Sequence, residues 1–413
     1  MTPLPIPCSG REGAEDFVAQ HLGHLACDHV RGSGAFSGGQ RAADAALSAF
    51  DVSGYARRRN EVFPASRRGA SRLSPYIRHG LLSLRDVWNH VADGPRDDVE
   101  KFRDELLWQE FARHWYARLG ARTRDNVSNH LPGSDATAGV APNDGWSRQM
   151  SCLDVTLSEL EGDGWLVNQT RMWLAGHWSV REGLRWGDGE DHFFRHLLDG
   201  SRAANRLGWQ WVSGAGSSKP YGFSRYQVEK RAPGMCASCT LHDACPIEEW
   251  PTDPLLQPVQ RIDVVRADPA PDVTAGPTEV VSYATPDAVW LTAESLGYGD
   301  PALTTHRQLP ILFVFDEPLL ASLQLSSKRL VFLTETLAEL AIEHDLHISL
   351  GDPVEVLANR QLAVTFAPVP GFRRRAEHLN LVELHPWPWL RRPSSGPVSS
   401  FSAWRRSTSS KRQ

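Results

Sequence analysis

Between Gly164 and Tyr221 the chain carries six tryptophans, Trp165, Trp173, Trp178, Trp186, Trp209 and Trp211, set among Asn, Gly and paired charges. An ordinary soluble core is filled mainly by Leu, Ile and Val. Indole adds a large flat surface and one N–H that needs a partner when buried. An aromatic core accounts for any one of these residues. The set as a whole constrains the fold more tightly, because several helical segments must bring their rings to one place, and it points to a site that uses indoles.

The rest of the chain bounds what that site can serve. With 413 residues there is room for two domains with sizeable cores, and 41% hydrophobic with 23% charged residues is the balance of a soluble globular protein. No apolar run approaches the roughly 18 residues of a membrane span, and no basic-then-apolar leader opens the chain. A cytoplasmic protein with no membrane partner is expected, with a monomer as the default assembly. The net charge of −5 excludes a general polyanion-coating role while leaving room for a local basic patch. Six cysteines in a reducing compartment read as metal ligands or free thiols rather than disulfides.

Fixed offsets run through the central stretch. Gly164, Trp165, Asn168, Arg171 and Met172 form GW-x-x-N-x-x-R-M. Trp186, Gly189, Glu190 and Phe193 form W-x-x-GE-x-x-F. Asp199, Gly200, Ala203, Asn205, Gly208, Trp209, Gln210 and Trp211 form DG-x-x-A-x-N-x-x-GWQW. Carried over about sixty positions, this pattern resembles the flavin-binding domain of the cryptochrome and DNA photolyase family. The resemblance implies an all-α flavin-binding domain holding FAD.

Upstream, a loop of small and basic residues, Arg67 to Arg72, opens a helix at Ser74–Pro75, and helix N-termini beside hydroxyls and arginines suit phosphate. It resembles the family's pyrophosphate loop, with Ser71, Arg72, Leu73 and Ser74 in place, Ala70 where the family has Thr, and Tyr55 at the expected opening position. The resemblance adds Trp165, Asn168, Arg171, Asp199 and Asn205 to the flavin-binding set. Arg171 and Asp199 would form an ion pair beside the ring system, and Asn205 would face flavin N5.

ELLWQEF, over 105–111, resembles the helix that lines flavin and substrate cavities. It implies lesion contacts by Glu105 and Trp108, with Asn168, Met172, Asn205 and Trp211 completing the catalytic set. Asn168 stands where the six-four photoproduct branch has His, so the resemblance implies cyclobutane pyrimidine dimers as substrate. Gln169 departs from an Arg of the dimer-repairing branch. Trp209 and Trp186 match the inner and middle members of the tryptophan chain that delivers electrons to photoexcited flavin, and Trp146 is the candidate outer member. Arginine runs at 57–59 and 67–72 are candidate DNA phosphate contacts, with a solvated face as the plainer reading of each.

Cys236-x2-Cys239-x5-Cys245-Pro246 has metal-ligand spacing, and a ligand Cys before Pro is common at iron–sulfur sites. The resemblance to one bacterial branch supplies Cys152 as fourth ligand and implies a [4Fe–4S] cluster; zinc on the same four thiolates remains the other reading. Cys8 and Cys27 carry no motif.

Expected organisation is a lead-in over 1–37, a helical FAD-binding domain over 38–250, a Pro-rich linker over 251–280, a small α/β domain with a parallel sheet over 281–391, and a disordered Ser/Arg-rich tail over 392–413. In the family the α/β antenna domain comes first, so the chain reads as circularly permuted. Its R-D-L-R has become Glu294, Ser295, Leu296 and Gly297, leaving the antenna chromophore open. Two functions follow from the resemblance: a blue-light-driven lyase acting on UV-damaged DNA by electron donation from reduced flavin, or a cryptochrome-like photoreceptor without repair. A light-independent flavin and iron–sulfur redox protein is a more distant third.

Overall fold

The computed structural model describes residues 2–127, 129–130, 146–217, 219–250, 260–261 and 271–409. Most of the expected linker lies outside the described residues.

Five apolar runs form parallel strands, lying side by side as Leu346–Gly351, Ile311–Asp316, Ala288–Leu291, Leu362–Thr365 and Leu381–His385. Runs such as AVWL are buried at every position, as a parallel strand covered on both faces requires. Two short antiparallel edges complete the sheet. Val281–Ser282 pairs with 381–385, and Thr2–Leu4 pairs with 346–351.

The second edge corrects the reading of residues 1–37 as a lead-in. Helix Arg11–His21 buries Ala14, Phe17 and Val18, spaced i, i+3, i+4, and packs on helix Ser327–Glu343. Arg11 Nε donates to Glu335 Oε1 at 2.6 Å. The α/β layer therefore draws on both ends of the chain. A three-residue strand and one helix behind Gly10 carry too little periodicity to reveal this.

The expected disordered tail is also ordered over its described residues, 392–409. Helix Phe401–Ser409 lies along helix Arg96–Leu119. Phe401 and Trp404 enter an aromatic cluster with Leu107, Phe111 and Trp115. Trp404 Nε1 donates to His114 Nδ1 at 2.8 Å. Ser and Arg dominate the composition, but two aromatics at i, i+3 suffice to anchor three turns, each contributing about 1.5–3 kcal/mol on burial.

The Trp404 contact makes the tail sensitive to pH. His114 must be neutral at Nδ1 to accept, and burial, with Arg118 adding to it, pushes its pKa down to about 3. A folded pKa below the ordinary value near 6.5 means that the stabilisation is full above that value and is lost as pH falls towards 3. Hydrogen exchange over 401–408, corrected for intrinsic rates, should therefore accelerate relative to helix 96–119 between pH 6.5 and 4.5. Unchanged relative protection would contradict the contact.

The helical layer comprises Arg96–Leu119, Ser151–Asp163, Asn168–Gly176, Trp186–His196, Arg202–Ser213 and Arg225–Arg231. Gly164 ends the second of these at φ +69, where a Cβ would stand 2.9 Å from the His196 carbonyl oxygen. At Gly189 a Cβ would fall 2.2 Å from the Trp209 ring. Glycine there lets helices 186–196 and 202–213 close on that indole.

The two layers meet at residues 198–200. Arg329, buried in helix 327–343, donates to the Gly200 carbonyl, and Arg78 Nε donates to the same oxygen at 2.9 Å. The Arg329 guanidinium also lies 4.8 Å over the Phe194 ring. The loop bearing Asp199 is thus clamped from the α/β side.

Candidate functional site

Arg171, on helix 168–176, reaches Asp199 with Nη2 at 2.7 Å from Oδ2. The other Asp199 oxygen, Oδ1, is buried without a hydrogen-bond partner, as are Asn205 Nδ2 and Trp209 Nε1. Burying an unsatisfied polar group costs about 1–3 kcal/mol. Three such atoms within matched motifs suit a polar, ring-shaped ligand that would partner them, and the donor and acceptor types fit a flavin.

The approach loop is built as follows. Arg72 sits at φ +60, with its guanidinium 4.8 Å over Phe36 and 5.4 Å over Trp165. Trp165 Nε1 donates to Ser74 Oγ at 3.0 Å. Leu73 is buried, and Ser71 is half-buried beside it. Tyr55 is buried edge-on to Phe102, and burial pushes its phenol pKa up, Glu105 adding to the effect.

Glu105 and Trp108 share a face of helix 96–119. Glu105 pairs with Lys101 at 2.9 Å and Arg59 at 3.4 Å. Trp108 stands 36% exposed, but Phe401 stacks on it with centroids 4.0 Å apart and planes at 15°. One face of the expected lesion platform is therefore covered by the tail. Asn168 is exposed, and its Nδ2 lies 3.7 Å from Met172 Sδ one turn on. Trp211 is 45% exposed, 6.0 Å from the Tyr221 ring. Gln169 is buried and donates to Tyr221 Oη at 3.0 Å, which takes it away from the surface.

Of the electron-chain candidates, Trp209 is buried edge-on to Phe193 at 5.0 Å. Trp186 is buried and donates to Asn126 Oδ1 at 2.8 Å. Trp146 lies 6.2 Å from Phe193 and 4.5 Å from Trp178, and it is only 4% exposed. An outer member that exchanges charge with solvent needs a more open position than this.

Several arginines on the 57–72 runs are committed to acids: Arg67 to Glu61, Arg68 to Glu159 and Arg59 to Glu105. Sequence reasoning missed the arginine clamp on Gly200. Nothing local marks Arg78 or Arg329 as its donors, because they are separated from it by 122 and 129 residues.

Cys152, on the first turn of helix 151–163, joins Cys236, Cys239 and Cys245 around one small cavity closed by Met150, Met235 and Ile247. Burial pushes the Cys152 thiol up to about 12, and the other three cysteines add to it. At Cys239 burial acts in the same sense, but hydrogen bonds from Ser151 and Leu241 outweigh it and lower the pKa. Arg225 ties the loop down, bonding the His242 carbonyl at 3.0 Å and Glu248 at 2.9 Å.

Residues 102–233 match the family described as the FAD binding domain of DNA photolyase. The chain's likeness to the photolyase/cryptochrome family thus lies in this stretch of the helical layer. It is 31% identical over 181 residues to the deoxyribodipyrimidine photo-lyase of Alkalihalophilus pseudofirmus, covering 41% of this chain and 36% of that protein. With the enzyme of the same name from Thermus thermophilus it shares 33% over 189 residues, covering 44% of each. A crystal structure of a bacterial class III photolyase from Agrobacterium tumefaciens aligns at a TM-score of 0.40 and 26% identity, covering 46% of this chain and 42% of that one. The chain thus spans about two fifths of the length of these curated relatives. No helix among the described residues is long and apolar enough to cross a membrane.

Proposed function

We propose that the protein is an FAD-dependent, blue-light-driven photolyase that splits cyclobutane pyrimidine dimers in UV-damaged DNA. The observation that carries the reading is the set of unpartnered buried atoms, Asp199 Oδ1, Asn205 Nδ2 and Trp209 Nε1, taken with the Arg171–Asp199 pair. Bound flavin would supply the light-driven electron transfer. Arg171 and Asp199 would fix its ring system, Asn205 would offer its amide to the ring edge, and Ser71, Arg72 and Ser74 would hold the pyrophosphate. Trp209, one helical turn after Asn205, would be the first electron donor, with Trp186 behind it. Glu105, Trp108, Asn168, Met172 and Trp211 would receive the flipped pyrimidines, since a lesion inside a duplex is reached by extruding it. The position of the helical layer ahead of the five parallel strands supports a circularly permuted domain order.

The protein should purify with about one FAD per chain, and Asp199→Ala should lose most of it. Retention of no flavin after gentle aerobic purification and reconstitution would remove the basis of the proposal.

One observation favours the photoreceptor reading: Phe401 already occupies a face of Trp108. A tail docked on the substrate side suits a protein that reports its flavin state by releasing that tail.

For the cysteines, four thiols lining one cavity and the Cys245–Pro246 step support the [4Fe–4S] cluster that the resemblance implies. Anaerobically prepared protein should contain about four irons with labile sulfide, and Cys152→Ser should lose them. One zinc and no iron would select the other reading.

A further inference from the structure

We propose that His306, Glu383 and His385 form a binding site for a single divalent transition-metal ion of the zinc type, separate from the flavin and cysteine sites. One ligand atom from each residue lies within 4.8 Å of the other two. His306 Nε2 stands 2.5 Å from Glu383 Oε1, and His385 Nε2 stands 2.6 Å from that same oxygen.

The fold explains the convergence. Glu383 and His385 alternate with Leu384 on the last parallel strand, so both point to one face. His306 caps helix Pro301–Thr305, its N–H bonded to the Ala302 carbonyl at 3.0 Å, and that helix packs against strand 381–385. Strand 288–291 lies between 311–316 and 362–365, and the order of the strands reverses there, the chain running outward through 311–316 and 346–351 before returning to its other side at 362–365. The crevice at the carboxyl ends beside such a reversal is where open parallel sheets bind ligands. Thr365, the last residue of strand 362–365, is in register with His385, and its Oγ1 accepts from the Ala302 N–H at 3.1 Å. Asp300 completes the polar floor, held by Ser295 and the Leu303 N–H.

The donor chemistry selects the ion. Two imidazoles with one carboxylate suit zinc and its first-row neighbours, whereas magnesium and calcium take oxygen ligands. Three protein ligands leave a coordination position open, the pattern of a catalytic rather than a structural zinc. His385 and Glu383 are buried, while the His306 side chain is 21% exposed and gives the ion a way in. Without the ion, both ring nitrogens donate to one carboxylate oxygen. An ion bonded at about 2.0–2.1 Å replaces those two protons and needs ligand atoms roughly 3.3 Å apart, a separation of under about 1 Å from the present arrangement.

The test uses the full chain with its cofactors in place and zinc as the probe. Calorimetric titration should show one zinc bound per chain, with a rise in Tm, and His306→Ala and Glu383→Gln should each weaken binding by about 100-fold or more, since even the groups behind such ligands cost 10–100-fold. Cobalt at the site should give visible d–d bands without thiolate charge-transfer absorption. His306→Ala should stay folded in the absence of metal, with Tm lowered by a few degrees, because Glu383 Oε1 keeps its bond from His385. The proposal is overturned if wild type takes up no zinc, if either variant binds like wild type, or if the cobalt spectrum shows sulfur ligation.

Discussion

Replacing Trp209 by Phe should abolish light-driven reduction of the bound oxidised flavin, while chemically reduced protein keeps its repair activity. Trp209 is the only member of the expected chain packed against Gly189 and Phe193 with an unpartnered indole N–H. Phe is far harder to oxidise than Trp, so the first hop is lost. The cost to the fold should be small, the lost ring volume being worth on the order of 1–3 kcal/mol. The variant should keep its flavin and a Tm within a few degrees of wild type. Photoreduction at the wild-type rate would show that electrons enter by another route, and loss of repair in the prereduced variant would make Trp209 more than a relay.

The second large effect concerns the lesion. Stacking of a base on an aromatic side chain contributes roughly 1–3 kcal/mol, so Trp108→Ala should weaken binding of dimer-containing DNA by about tenfold or more, 1.4 kcal/mol being a factor of ten. FAD content should hardly change. Because Phe401 competes for the Trp108 ring, Phe401→Ala should move lesion affinity the other way. Under the photoreceptor reading both variants leave DNA affinity as it was. Binding isotherms for the two variants beside wild type separate these outcomes.

The parts of the site legible in sequence are those whose geometry is local. The spacing of Asn168, Arg171 and Met172 belongs to one short helix, and that of Asn205 and Trp209 to another, so these offsets translate directly into a shared face, while Trp211 points the other way and is exposed. The Arg171–Asp199 pair and the place of Cys152 beside Cys236, Cys239 and Cys245 are not local, and only the family resemblance implied them. The illegible parts are those made by tertiary contact. Phe401 and Trp404 look like stray aromatics in a polar tail until the cluster around Phe111 and Trp115 receives them. Thr2–Leu4 has no strand signal of its own and is recruited by the open edge of 346–351. Gln169 reads as a lost DNA contact, yet its amide is spent on Tyr221. Arg329 reads as one charge on an amphipathic helix, although it is buried and bonded to the Gly200 carbonyl. His306 and Glu383, 77 residues apart, give no hint of convergence until the sheet sets them side by side.

The most direct test of the proposed function is turnover under blue light by protein with prereduced flavin, on oligonucleotides carrying a single defined lesion. Cyclobutane pyrimidine dimers should be converted to intact pyrimidines in a light-dependent, catalytic manner. Six-four photoproducts should remain, because Asn168 cannot donate the proton that a His would at that position. Absence of dimer repair from fully reduced, flavin-loaded protein would contradict the account, and repair of the six-four lesion would overturn the role assigned to Asn168.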